Sequence, residues 1–98
     1  MGAACPILGF DVRVRLHERV GDAAAEALHD AFVREAVRAH GLDARGGVAD
    51  AGRAWRLTLV RDGAQATHAD RDAVAGWLGA RAEVASYEVG PLVDLSGS

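Results

Sequence analysis

A chain of 98 residues is one domain, long enough to bury roughly 60–70% of its unfolded surface around a single core without disulfide or metal support. Half of the residues are hydrophobic but only two Phe, two Trp and one Tyr are aromatic, so the expected core is small: Leu and Val around Phe10, Phe32, Trp55 and Trp77. A net charge of −3 and a pI near 5.7 exclude a whole-protein electrostatic grip on nucleic acid while leaving room for a local basic patch, and no apolar run approaches the ~20 residues of a membrane span.

Residues 1–6 read as a loose lead-in to Pro6. From Phe10 the chain alternates: Phe10, Val12, Val14 and Leu16 on one side, Asp11, Arg13, Arg15 and His17 on the other. A period of two is the mark of a half-buried strand. Gly21-Asp22 ends the following loop, and Asp22 is placed to cap a helix. That helix is expected to run to about His40, with Ala25, Leu28, Phe32, Ala36 and Ala39 as its apolar stripe. Gly41-Leu42 reads as a Schellman stop.

Arg45 to Ala51 is weakly strand-like, and its Gly46-Gly47 pair suits an edge position. Asp50 to Arg53 supplies a turn. Trp55, Leu57 and Leu59 then alternate with Arg56, Thr58 and Val60 in a second clear strand, ended by Asp62-Gly63. Thr67 opens a second helix with Asp70 three residues on, a variant of the capping box. Val74, Trp77, Leu78 and Arg81 form its stripe. Glu83 to Val89 is a last strand, cut by Gly90-Pro91, and the tail from Ser96 is loose.

The order β-α-β-β-α-β predicts an α+β, ferredoxin-like split βαβ fold: a four-stranded antiparallel sheet with two helices on one face, as a single domain over residues 7–95. Its other face is expected to be open or covered by a partner.

Chemistry is sparse. All eleven basic residues are Arg, and there is no Asn. Arg presents a rigid fork that suits phosphate or carboxylate. The first and third strands are neighbours in this fold, so Arg13, Arg15 and Arg56 would share the open face, as candidate contacts to phosphate or an acidic surface. The plainer alternative is that Asp11 and Glu88 neutralise them across the strands. Aromatics point inward, against the base stacking of an RNA-recognition sheet.

The four histidines (His17, His29, His40 and His68) have no zinc spacing. No Gly-x-Ser-x-Gly elbow is present. Asp70 and Asp72 sit at a helix start, where they favour the macrodipole. Gly46-Gly47 lacks the following Lys and helix of a phosphate cradle. Arg19 could mimic the arginine of an acylphosphatase, but without Asn that site cannot be completed. No enzyme, no metal and no cofactor are expected. The single Cys5 cannot form an internal disulfide, and no secretory leader is readable, which makes a cytoplasmic protein the expectation.

Leu8, Gly9 and Phe10, Phe32, Leu42, then Thr67, Trp77, Leu78 and Arg81, and finally Leu92 with Asp94 follow one another in an order and spacing that resembles the YggL-type family of small bacterial proteins. The resemblance spans about residues 8–94. It implies binding to the large (50S) ribosomal subunit, through rRNA or a ribosomal protein, and no catalytic role. Familiar members carry a strongly basic segment ahead of the Leu-Gly-Phe start. Residues 1–7 here have no charged side chain, which leaves either a contact made by the folded domain or a different role for this branch of the family. The alternative is a ferredoxin-like self-associating module, a homodimer, or a small-ligand sensor using the open sheet face.

Overall fold

The computed structural model describes residues 8–61 and 65–95. The loose ends expected at 1–6 and 96–98, and the Asp62-Gly63 turn, lie outside them. Strand β1 (Leu8–Leu16) is followed by helix α1 (Asp22–Ala31), which continues as a π-helical turn (Phe32–Val37) and a 3-10 turn (Arg38–His40). Then come β2 (Leu42–Ala49), a 3-10 turn (Asp50–Gly52), β3 (Ala54–Arg61), α2 (His68–Gly79), β4 (Val84–Val89) and the two-residue β5 (Val93–Asp94).

The sheet runs β2-β3-β1-β4, with β5 also on β1, and every pairing is antiparallel. This is the split βαβ topology, with β1 and β3 at its centre. The fifth strand adds to the expected four. It continues β4 along the same edge of β1: Val89 pairs with Val12 and Val93 with Gly9. Pro91 has no N–H to give to a ladder, so the pairing breaks there and resumes one residue out of step. Arg71 of α2 donates from Nε to the Gly90 carbonyl at 2.7 Å and from Nη2 to that of Val89 at 3.2 Å, satisfying the acceptors at the break.

Alternation in β1 and β3 puts Phe10, Val12, Val14, Leu16, Trp55, Leu57 and Leu59 in the core with Ala25, Leu28, Phe32, Val74 and Leu78 of the helices. Phe32 stands between Trp55 and Trp77, its ring centre 5.4 Å from each. Two details of the first helix differ from expectation. Its N-cap is Gly21, without a side-chain cap, and Asp22 is the first helical residue, drawn to Arg53 at 3.2 Å. The π-turn is wider than an α-turn, which rotates the stripe beyond Ala36, buried as expected, so that Val37 is buried with it and Ala39 is exposed. Gly41 ends the helix in the left-handed region, φ 75°.

The second helix starts as expected. Thr67 accepts from the Asp70 N–H while Asp70 accepts from that of Thr67. A three-residue cluster between the helices was not foreseen. Trp77 Nε1 and Arg81 Nη2 both donate to Glu35 Oε1 at 3.2 Å, and the Arg81 guanidinium lies 4.1 Å from the Trp77 ring centre. The indole N–H, and then the positive charges of Arg81 and Arg34, hold the Glu35 carboxyl below its ordinary 4.5. A depressed carboxylate contributes stability that is present above the unfolded value and lost as pH falls through the folded one. Glu35→Gln should therefore lower the melting temperature at neutral pH, and the difference from wild type should vanish in acid well below pH 4.5. An equal difference at both pH values would show that the carboxylate charge is not what matters.

Strand β2 begins at Leu42, earlier than its glycines suggested. Gly46 has φ 131°, and a Cβ there would stand 2.2 Å from the Arg56 carbonyl oxygen. Only glycine tolerates both the dihedral and the close backbone. Gly46→Ala should cost about 1–3 kcal/mol, read as a lower urea midpoint at unchanged slope.

Candidate nucleic-acid interface

The sheet face away from the helices is built by register. Arg13 lies directly opposite Arg56, and Arg15 opposite Ala54. On the other flank of β1, Arg13 faces Glu88 and Arg15 faces Ser86. Directly opposed residues share a face, so the three arginines predicted to meet are brought together. All three are exposed.

The expected neutralisation takes a different form. Asp11 is occupied by Thr58, whose hydroxyl donates to Oδ1 at 2.7 Å. Glu88 faces Arg13 in register without forming an ion pair. Arg15 meets Asp50 at 3.8 Å, a carboxylate it shares with Arg53 at 3.6 Å. Among the described residues, Arg13 and Arg56 have no ion pair and no side-chain hydrogen bond.

One residue of the face was missed. Arg45 pairs with Thr58 and is exposed, which puts a fourth arginine beside Arg56. The signal was parity: Ala44 packs against the core, so its neighbour must point out. The glycine pair hid this, because alternation cannot be read through residues without side chains. Gly47, opposite Arg56, leaves open space where a side chain would stand.

The far end of the face is different. Val60 is buried despite its outward parity. It pairs with Gly9, and Val60 Cγ1 and Leu95 Cδ1 stand 3.0 and 2.7 Å from the place a Gly9 Cβ would take. The Leu59 carbonyl oxygen is at 2.6 Å from the same point. The glycine of the Leu-Gly-Phe start is therefore a packing requirement. Among the described residues, no group of three or more His, Cys, Asp or Glu is gathered to hold a metal ion. Nor is any helix there long and apolar enough to cross a membrane.

Most residues that carried the resemblance have structural roles of this kind: Phe10 and Leu78 in the core, Phe32 between two indoles, Thr67 at a cap, Trp77 and Arg81 on Glu35. They specify a fold. A family model described as YggL 50S ribosome-binding protein matches residues 5–96. The chain belongs to this family. No curated protein and no solved structure matches it. The YggL family is thus one of ribosome-binding proteins, and its match extends over the whole sheet, the arginine face included.

Proposed function

We propose that this protein is a cytoplasmic, non-catalytic accessory factor that binds the large (50S) ribosomal subunit, and that Arg13, Arg15 and Arg56 make the contact. Family membership supports the partner. The observation that carries the contact is the juxtaposition of Arg13 and Arg56 without a counter-ion. Like charges directly opposite in a sheet are destabilising, and folding alone gains nothing from this pair.

Self-association through the same face is not favoured. It would press two arginine clusters together around a surface poor in the apolar anchors that stable interfaces need.

The test is sedimentation of the tagged protein in a cell lysate on sucrose gradients at low and moderate salt. The expected result is migration with the large subunit that weakens as salt rises, since phosphate contacts release counterions. Protein found only at the top of the gradient at both salts would refute the reading.

A further inference from the structure

We infer that the open face docks on the phosphodiester backbone of RNA, with Arg56 at its centre and Arg45 as a contact residue beside Arg13 and Arg15. This rests on the ribosome reading and names the component touched.

The register lays out the surface. One row across the sheet reads Gly47, Arg56, Arg13, Glu88; the row to one side reads Arg45, Thr58, Asp11; the row to the other reads Ala49, Ala54, Arg15, Ser86. Arg56 is therefore directly opposite Arg13 and diagonal to both Arg45 and Arg15. Such neighbours have side chains about 5 and 7–8 Å apart. Four forks in that space match a run of phosphates, each able to take a bidentate pair of hydrogen bonds.

One observation favours RNA backbone over an acidic protein surface, and two more agree with it. The rows contain no aromatic and no large aliphatic side chain, and protein interfaces take most of their energy from such anchors. The absence of aromatics also removes base stacking, leaving sequence-independent recognition of phosphate. Finally, the arginines the fold needs lie elsewhere. Arg53 holds Asp22 and the Val20 carbonyl, Arg61 holds Asp70, Arg71 holds the Val89 and Gly90 carbonyls and Arg81 holds Glu35. Arg13, Arg45 and Arg56 have no such engagement among the described residues.

Gly47 shapes the centre. A side chain at 47 would stand next to Arg56, and a Cβ built there meets nothing within 4 Å. The gap lets a phosphate reach the Arg56 guanidinium from the β2 side. It also offers a site where charge can be added without disturbing the fold.

The experiment uses the full chain, isolated 50S subunits, and a short fluorescent RNA duplex of arbitrary sequence as the probe. Four phosphate contacts on a duplex predict a slope of about −3.6 in log affinity against log salt. Each of Arg13→Gln, Arg45→Gln, Arg15→Gln and Arg56→Gln should flatten the slope by about 1. Each should weaken duplex binding about five-fold at about 0.15 M salt. Gly47→Arg should tighten it by a similar factor and Gly47→Glu should weaken it, with the same ranking on the subunit.

A wild-type protein that sediments with the subunit but ignores Arg45→Gln and both Gly47 variants overturns this inference and spares the ribosome reading. So does subunit binding that depends on the arginines while the duplex is bound weakly with no salt slope, which would make the partner a ribosomal protein. Wild-type protein that binds no subunits overturns both.

Discussion

Arg56→Glu is expected to weaken association with the large subunit by about thirty-fold at about 0.15 M salt, and at the same time to make the protein more stable. The first effect follows from removing one positive charge from the proposed phosphate contact and adding a negative one. The second follows from register: Arg13 faces Arg56 directly, so the substitution turns a like-charge pair into an opposite-charge pair, a gain of about 0.5–1 kcal/mol. For a domain this size that is about 2–6 °C in melting temperature, fading as salt screens the pair. Adding Arg13→Glu restores a like-charge pair. It also sets a second like-charge pair against Glu88, so the double variant should lose the gain and melt below wild type while binding weaker still. The opposite signs are the value of this variant, because misfolding cannot produce lost binding together with a higher melting temperature. Loss of both would show that Arg56 is there for the fold.

How much of this was legible in the sequence depends on how densely each segment carries side chains. In β1 and β3 every second residue is a large aliphatic or aromatic group, so the strands, their inward face and the meeting of Arg13, Arg15 and Arg56 could all be read. In β2 the Gly46-Gly47 pair erases the alternation, and Arg45 went unassigned with it. The first helix was legible to Ala36 and then drifted, because a π-turn changes the period and no residue announces it. Thr67 with Asp70 was readable as a cap because that motif is local. The Glu35–Trp77–Arg81 cluster was not, because its members come from two helices whose approach depends on the core beneath them. The short β5 was missed since two residues carry no period at all.

The same contrast separates the two kinds of information in the family resemblance. Gly9, Phe32, Thr67 and Trp77 are recognisable because the fold requires them, each through a contact with backbone or core. The arginines of the open face are not required in that sense: strands tolerate any polar side chain there. A family match built on structural residues therefore supports the fold and the partner at family level, while the residues that touch the partner must be sought where the fold is indifferent or, at Arg13 and Arg56, where it is mildly opposed.

Asp70→Ala should cause a large loss of stability. Asp70 is only 5% exposed. One carboxylate oxygen, Oδ1, takes the ion pair from Arg61 Nη2, and the other accepts the Thr67 N–H at 2.8 Å, so the group both caps α2 and ties it to the end of β3. Removing the cap acceptor costs about 1 kcal/mol. The Arg61 side chain is then left without its partner while only 30% exposed. Breaking a fully buried pair costs about 3–5 kcal/mol. Partial solvation of Arg61 reduces that, and the total is expected at about 2–4 kcal/mol, on the order of 10–20 °C in melting temperature. Thr67→Ala, which removes only the hydroxyl half of the box, should cost about 1 kcal/mol. Arg61→Met strands the more deeply buried member of the pair and should be at least as damaging as Asp70→Ala. Because each single change leaves the other charge unpaired, the double variant Arg61→Met with Asp70→Ala should be less destabilised than the sum of the two. Thermal unfolding of the four proteins decides it: strict additivity would mean that the ion pair is incidental and that the cap alone anchors the helix.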